Sequence, residues 1–445
     1  MPDSNELDNI LNEIKQKNDN EDEPGEASQE NNTEDVDTPQ ESKAEDNESA
    51  KDPNELISHI SRAEEYAECE SDDLYPPPRR KRIAIIVIAV IAVIAIAVAT
   101  VFALIGNREK EPETTASTTT TTTTTAAPVI YLNPLTNEAD YNKDAEDKRP
   151  VALVVENSYQ ARPQWGIDDK QYSPDIIVEG EVEGGESRML WLYADYTALP
   201  EQVGPMRSAR PPFIKFSELF DAVFIHWGQS SSKGDYVGAN TVFSQDNVDH
   251  INQMAFNDTV GLFGRDKSRN VASEHTGVLY GKNLAAAIDK QGFRTEANEK
   301  NYTKFSFNSE AKTVGTDPCS ALALRFSSRS KVRDWSYNSE DEMYHSTDYL
   351  TDVSRKNLLI LFDQTEYIVK ANYKNSGSSE TYCNYRLSGG NGKLASHGTV
   401  TDIVWSVENG VLVIKDAQGK AVNLNTGNTW IGYASSNNGG SITVS

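Results

Sequence analysis

Cysteine is scarce in this chain of 445 residues, which holds only Cys69, Cys319 and Cys383. So few thiols exclude a disulfide-rich scaffold, and none of them has the C-x-x-C spacing of a zinc-binding pair. Cys319 and Cys383 lie far along the chain, where an oxidising setting would permit a bridge. Their spacing leaves open whether they pair.

Enzyme signature motifs are also missing from the region after residue 105. It contains no H-E-x-x-H, P-loop or G-x-G-x-x-G pattern, which argues against a zincin, an NTPase and a dinucleotide enzyme. The sequence therefore names no cofactor and leaves open whether the protein is an enzyme. Basic residues are also fewer than acidic ones, with 42 Lys and Arg against 68 Asp and Glu and a net charge of −26. Residues 1–78 account for −20 and residues 79–82 for +4, so residues 83–445 still carry a net charge of −10. An outer region of this charge is not expected to bind nucleic acid.

The acidity is concentrated in residues 1–78. This segment carries 25 acidic against 5 basic side chains and almost no aromatic residues. It can bury too little apolar surface to offset the entropy lost on ordering. We therefore predict a disordered acidic tail.

An unbroken apolar run occupies residues 83–105, directly after the basic sequence RRKR at 79–82. A helix of that length reaches about 35 Å at roughly 1.5 Å per residue, enough to cross a bilayer. The basic flank predicts a cytoplasmic tail and an extracytoplasmic C-terminal part, so residues 79–105 form a basic flank and single-pass signal anchor. A Thr-rich stretch follows, and residues 106–147 are predicted to form a stalk and linker.

From residue 148 onward the pattern changes to strands and short helices. A buried strand is predicted at 150–157, a hairpin turned at Gly184 and Gly185 over 175–195, helices at 213–220 and 282–292, and a strand at 221–228. Strands dominate after about residue 318. The sequence predicts an α+β fold, with a mixed domain over 148–315 and a β-rich domain over 316–445.

The hairpin carries an unusual set of charges. Glu179, Glu181 and Glu183 alternate, so that in a regular strand all three face one side. Like charges on one face repel each other unless a positive group lies opposite. Arg188 on the partner strand can supply one such group. A solvated face and an oxygen-ligand cation site of the Ca²⁺ type are the alternatives.

The sequence RSAR supplies further positive charge just before the Pro-initiated helix. Arg207 and Arg210, on either side of Ser208, can both address one ligand, because guanidinium groups bind carboxylates or phosphates in a bidentate manner. The alternative is a structural ion-pair network that ties this loop to Glu179 or Glu183.

Two further polar residues follow a predicted strand. His226 ends an apolar run, and Ser230 follows shortly after, so the pair could act as general base and nucleophile or ligand contact. No G-x-S-x-G elbow surrounds Ser230, and no acidic residue is spaced to orient the imidazole. A structural histidine is the alternative reading of His226, and His275 in SEHTG is equally ambiguous.

Four separated motifs carry a resemblance to a known family. RPVALVVEN, the EGG-x-S-R run ending at Arg188, GPMRSARP and HWGQS occur in the order seen in the YerB-like family of bacterial envelope proteins. The resemblance covers roughly residues 146–445 and implies a domain family of unknown function. Many relatives look like lipoproteins with a lipid-modified cysteine. This chain has no cysteine directly after its apolar run, so a transmembrane anchor is predicted instead.

These observations predict a membrane-anchored extracytoplasmic protein that binds a cell-envelope component, either a wall polymer or another protein. The candidate ligand-binding residues are Glu179, Glu183, Arg188, Arg207, Ser208, Arg210, His226 and Ser230. One alternative is a cell-wall hydrolase that uses Glu183 or Glu179 as acid or base with help from His226. Another is a structural link between the envelope and cytoplasmic partners of the acidic tail.

Overall fold

A computed structural model describes residues 129–139, 141–298, 302–371 and 377–445. The predicted acidic tail, the predicted transmembrane segment at 83–105 and the Thr-rich run lie outside the described residues. Within these described ranges, no helix is both long and apolar enough to cross a membrane. The described residues all belong to one compact unit.

The described chain is rich in β structure. Its α helices are α1 (Pro211–Glu218), α2 (Ala239–Asp246) and α3 (Leu284–Gln291). Its strands are β1 (Val151–Glu156), β2 (Ile176–Glu181), β3 (Ser187–Tyr193), β4 (Val223–His226), β5 (His250–Asn252), β6 (Phe263–Arg265), β7 (Gly277–Leu279), β8 (Asp317–Pro318), β9 (Ala321–Arg325), β10 (Val332–Asn338), β11 (Met343–Ser346), β12 (Val353–Arg355), β13 (Asn357–Asp363), β14 (Thr365–Lys370), β15 (Glu380–Tyr385), β16 (Gly390–Ser396), β17 (Thr399–Glu408), β18 (Val411–Lys415), β19 (Thr429–Ser435) and β20 (Ser441–Val444). The structure is thus a β-rich fold with few helices, and the finer α+β assignment stays a prediction.

One sheet of eleven strands dominates the fold. Its order is β18-β17-β16-β13-β19-β2-β3-β1-β4-β5, with β8 paired to β17. A second sheet of five strands has the order β12-β11-β10-β9-β20, while β14 pairs with β15 and β6 with β7. Strand β19 lies between β2 and β13 and runs parallel to both. Strands from both sides of residue 316 therefore share the large sheet, and the predicted domain boundary there stays a prediction.

The central strands of the large sheet are buried on both faces. On β1, Ala152 and Val154 belong to the core cluster that includes apolar residues of α1 and α2. Val151, Leu153 and Val155 belong to the opposite cluster, with residues of α3 and of the five-stranded sheet. A strand buried on both faces favours apolar side chains at successive positions, which explains the apolar run from Val151 to Val155 in β1.

Local sequence signals set several element boundaries. Helix α1 begins at Pro211, two residues before the predicted start at residue 213. Proline suits this position because it lacks an N–H, and the first backbone amides of a helix have no intrahelical acceptor. Helix α3 ends before Gly292, which has a left-handed φ of 69°. Helix α2 was not predicted, since its first residue follows Gly238 and its N-terminus has no side-chain cap. Its buried residues are few, which weakens the helical pattern.

The two cysteines in the described region are separate. Cys319 and Cys383 are buried free thiols. They belong to the two opposite core clusters, so the large sheet lies between them. The pairing that the sequence left open is therefore not formed in this structure.

Candidate functional site

The hairpin β2–β3 ends in a tight turn that contains an extra residue. Gly184 and Gly185 both have positive φ, 63° and 86°, as a primed turn requires. The Val182 amide donates to the Glu186 carbonyl at 2.9 Å, while the Glu186 amide donates to the Glu183 carbonyl at 3.0 Å. Val182 and Glu183 thus both lie opposite Glu186, which makes this part of the hairpin a β-bulge. A bulge of this kind redirects the side chain of Glu183. The predicted common face of Glu179 and Glu183 is therefore broken.

Glu179 lies in the interior and does not line the cleft described below. Its side chain is fully buried, and five donors surround its carboxylate: Arg333 Nε, Tyr349 Oη, Ser187 Oγ, Asn157 Nδ2 and Trp430 Nε1, at 2.7 to 3.2 Å. Burial would raise the pKa of Glu179, but the Arg333 charge and the Tyr349 hydrogen bond outweigh it and lower the pKa. Glu179 is thus an ionised structural centre that joins β2 to the five-stranded sheet.

Glu181 lies neither in the hydrogen-bond network of Glu179 nor in the cleft described below. Its Oε2 accepts a hydrogen bond from the Tyr367 hydroxyl at 2.6 Å, while its Oε1 is buried without a hydrogen-bond partner in the described part of the chain. The three alternating glutamates thus have three different sets of partners. The predicted single acidic face does not form.

A cleft of about 340 Å³ opens beside the hairpin turn. Five of the predicted site residues line it, namely Glu183, Arg188, Arg207, Ser208 and Arg210. They come from the hairpin and from the loop before α1, as the sequence predicted. Arg265 and Trp227 line the same cleft, and the Arg265 guanidinium stacks over the Trp227 ring at 4.6 Å.

Glu183 holds two of the arginines in place. Its carboxylate forms an ion pair with Arg210 Nε and lies 3.8 Å from Arg188 Nη2. Burial would raise the pKa of Glu183, but the charges of Arg210 and Arg188 lower it. Burial and the neighbouring Arg210 lower the pKa of Arg188 to about 10. Arg188 also donates to the Ser208 carbonyl at 2.6 Å. The orientations of the Arg188 and Arg210 guanidinium groups are therefore both fixed.

Arg207 is held more loosely than its neighbours. Its side chain is 27% exposed, and its guanidinium lies 3.5 Å from Glu156 and 3.9 Å from Glu274. These distances exceed those of normal hydrogen bonds, so the guanidinium retains donor capacity toward the cleft.

His275 lies beside this arginine and pairs with the same acids. Its Nδ1 is 2.9 Å from Glu156 Oε1, and its Nε2 is 3.4 Å from Glu274. Burial would raise the pKa of Glu156, but Arg207 and His275 lower it. The second histidine noted in the sequence is therefore the one that lines the cleft.

His226 and Ser230 lie outside the cleft. His226 is fully buried, with Nδ1 2.6 Å from the Gly228 carbonyl and Nε2 2.9 Å from His250 Nδ1. Burial and then His250 lower the pKa of His226 well below its usual value, so the ring is neutral. Ser230 Oγ accepts hydrogen bonds from Tyr236 and from the Ala239 amide at the start of α2. Both side chains therefore hold the structure together.

Among the charged residues of the cleft, sequence reasoning did not single out Glu156, Glu274, Arg265 and Glu380. Glu156 ends the predicted strand β1, so its position was visible although its partner was not. Glu380 comes from β15, far along the chain, and no local pattern connects it to the hairpin. Its Oε2 is buried without a hydrogen-bond partner among the described residues, and burial raises its pKa.

A metal centre has no support in the described ranges, which contain no group of three or more His, Cys, Asp or Glu side chains able to hold an ion. The cleft instead brings arginines and glutamates together. Such an arrangement can bind an anionic group through guanidinium donors whose directions are already set.

Comparisons with known proteins agree with the resemblance in the sequence. Residues 135–294 match the family described as "Protein of unknown function (DUF3048) N-terminal domain", and residues 322–431 match its C-terminal domain. The chain is 30% identical over 301 residues to the Bacillus subtilis (strain 168) protein named "Putative lipoprotein YerB", covering 67% of this chain and 84% of that protein.

The fold is similar to a crystal structure of YerB protein from Bacillus subtilis. The TM-score is 0.56 at 24% sequence identity, and the match covers 70% of this chain and 99% of that chain. Together with the two matched domains, this confirms the resemblance of the sequence motifs. The chain belongs to the YerB-like DUF3048 family of proteins of unknown function.

Proposed function

We propose that the protein is a membrane-anchored extracytoplasmic binding protein whose cleft takes an anionic group of a cell-envelope component. The apolar run at 83–105 and its basic flank support the anchor and its orientation. The name of the Bacillus relative describes a lipoprotein, which is also a membrane-attached class. The described domains would then face the cell wall.

The convergence of arginines on one cleft carries the proposal. Arg188, Arg207, Arg210 and Arg265 all line it, and Glu183 orients two of them. A carboxylate or phosphate entering the cleft meets Arg207, whose guanidinium is partly exposed and loosely paired. Because the other guanidinium groups are already oriented, little further conformational entropy is lost on binding.

The glutamates of the cleft favour a ligand that also carries hydrogen-bond donors. Glu274 and Glu380 line the same cleft, and a purely anionic ligand would be repelled by an ionised carboxylate beside it. A wall polymer that combines anionic groups with sugar hydroxyls satisfies both kinds of side chain.

The two alternatives have less support. The hydrolase hypothesis needs Glu183 or Glu179 to act with His226, but only Glu183 lines the cleft, and both ring nitrogens of His226 are engaged elsewhere. The linker hypothesis depends on the acidic tail, which lies outside the described residues.

Replacing Arg207 tests the binding role. Full-length protein should co-sediment with purified cell-wall material, and Arg207→Ala should weaken that binding at least about tenfold, as expected for a lost charge-assisted hydrogen bond. Arg207→Lys should recover only part of the affinity, because an ammonium group lacks the guanidinium fork. The matched control is Arg386→Ala, which removes an exposed arginine outside the cleft. Equal binding by all three variants, or release of soluble products, would contradict a binding cleft at Arg207.

External proteolysis tests the orientation. A protease added to intact cells, after the wall is opened without lysis, should remove the described domains and spare the N-terminal tail. Lysed cells serve as the control, in which the acidic tail should be digested as well. Protection of the C-terminal domains in intact cells would reverse the proposed topology.

A further inference from the structure

The imidazole of His275 lies between two carboxylates on one wall of the arginine cleft. Its Nδ1 is 2.9 Å from Glu156 Oε1 and 3.0 Å from Glu156 Oε2, and its Nε2 is 3.4 Å from Glu274 Oε1. Glu156 ends β1, whereas His275 and Glu274 belong to the loop between β6 and β7. His275 and Glu156 are only 7% and 5% exposed, so water and salt screen their charges little.

The two ring nitrogens differ in the hydrogen bonds that they can make. A carboxylate only accepts hydrogen bonds, and a neutral imidazole has a single N–H group. The short distances from Nδ1 to Glu156 place that N–H group on Nδ1. In the neutral form Nε2 therefore presents a lone pair to Glu274, and only the imidazolium offers a donor to both acids. Nε2 is the atom that gains or loses the proton.

Arg207 approaches the same two acids. Its Nε is 3.5 Å from Glu156 Oε1, and its Nη2 is 3.9 Å from Glu274 Oε1. These are the two oxygens that His275 also faces. Both contacts of Arg207 are longer than normal hydrogen bonds. An imidazolium can therefore hold both acids and leave the guanidinium of Arg207 to a ligand.

The charge of this wall depends on the same proton. Glu156 and Glu274 bring two negative charges, against one positive charge from Arg207 when the imidazole is neutral and two positive charges when it is protonated. Such a change alters the attraction of the cleft for an anion. The other charged side chains that line the cleft are Arg188, Arg210, Arg265, Glu183, Glu186 and Glu380.

We propose that His275 is a positioning residue that sets the affinity of the cleft for an anionic group, because its imidazolium holds Glu156 and Glu274 and leaves Arg207 to the ligand. This inference rests on the proposed function and adds its regulation by pH. The affinity should rise as the pH falls from about 8 to about 5.5, the interval in which histidine is the side chain that ordinarily changes its charge.

Co-sedimentation of the full-length protein with purified cell-wall material tests the proposal. The measured quantity is the ratio of the affinity at about pH 5.5 to that at about pH 8, because titrating groups of the wall act on every variant alike. His275→Gln has no proton to gain, so its ratio should be about tenfold smaller than that of the wild type. His345→Gln is the matched control. His345 also lies between two carboxylates, those of Asp341 and Asp352, but it does not line the cleft. This variant should keep the ratio of the wild type.

A second variant gives a result that a damaged fold cannot imitate. Glu274→Gln removes one negative charge beside Arg207, and the side chain of Glu274 is 25% exposed. It should bind the wall at least about threefold more tightly than the wild type at pH 8, because Arg207 then has one competing acid fewer. Its melting temperature should stay near that of the wild type.

The possible outcomes separate this inference from the proposed function. Equal ratios for the wild type and His275→Gln would show that another group, such as Glu380, sets the pH response, and would overturn the role of His275 while leaving the binding cleft intact. Weaker binding by Glu274→Gln at pH 8 would also overturn it, since Glu274 would then hold the ligand itself. No binding by the wild type at either pH would overturn the proposed function and this inference with it.

Discussion

Glu179→Gln is expected to lower the free energy of unfolding by about 3 to 5 kcal/mol, because it removes one partner of a buried ion pair. Arg333 Nε donates to Glu179 at 2.7 Å, and both side chains are buried. With glutamine at this position Arg333 would lose the carboxylate that is hydrogen-bonded to it, and one carboxylate oxygen acceptor would become an amide donor. Urea unfolding at pH 7 measures the difference.

Two controls separate the charge effect from the loss of packing. Glu186→Gln removes an exposed glutamate from the same hairpin and should change stability by less than about 0.5 kcal/mol. Combining Glu179→Gln with Arg333→Met should restore part of the loss, because no buried charge is then left alone. A loss below about 1 kcal/mol for Glu179→Gln alone would mean that the network tolerates an unpaired arginine, contrary to the buried geometry.

Acidification from pH 6.5 to pH 4 is expected to reduce stability by about 3 kcal/mol through His250 alone, at about 1.4 kcal/mol per unit of pKa difference. Burial lowers the pKa of His250 from 6.5 to about 4. In this window the unfolded chain binds a proton at His250 and the folded chain does not, so stability is present above pH 6.5 and is lost as the pH falls. His226, whose pKa is lowered further, acts in the same direction.

His250→Asn removes the titrating ring and keeps a donor for His226 Nε2. The difference in unfolding free energy between wild type and variant should therefore change by about 3 kcal/mol between pH 6.5 and pH 4. His345→Asn is the opposite control. Burial lowers the pKa of His345, but hydrogen bonds to Asp352 and Asp341 outweigh it and raise the pKa, so its contribution is largest at low pH. A constant difference for His250→Asn would contradict a neutral buried pair.

Buried strands and helix ends were predictable because their signals are local. The strand β1, the hairpin with Gly184 and Gly185, and the start of α1 at Pro211 all follow from a few neighbouring residues. Helix α2 was missed because its few buried residues give a weak pattern. The shared large sheet was missed as well, since β19 pairs with β2 across about 250 positions and leaves no local trace.

The candidate site likewise contains residues that local sequence predicts and residues that it does not. Arg188, Arg207 and Arg210 were expected near Glu183 because the glutamates of the hairpin need positive partners, and all four line one cleft. Glu179 was assigned to the same face because regular alternation was assumed, and the bulge at the turn breaks that alternation. The acids that pair with Arg207 depend on contacts that no single stretch of sequence contains.

The central position of β19 has a consequence for the order in which the protein can fold. Residues 429–435 must be synthesised before β19 can join β2 to β13. Until then, the part of the large sheet that ends in β2 and the part that ends in β13 each have an unpaired edge strand. Such contacts between distant positions form slowly and leave intermediates prone to aggregation. A chain that stops before residue 429 would therefore present two open sheet edges to a chaperone or protease, and its fate would be degradation rather than a smaller stable domain.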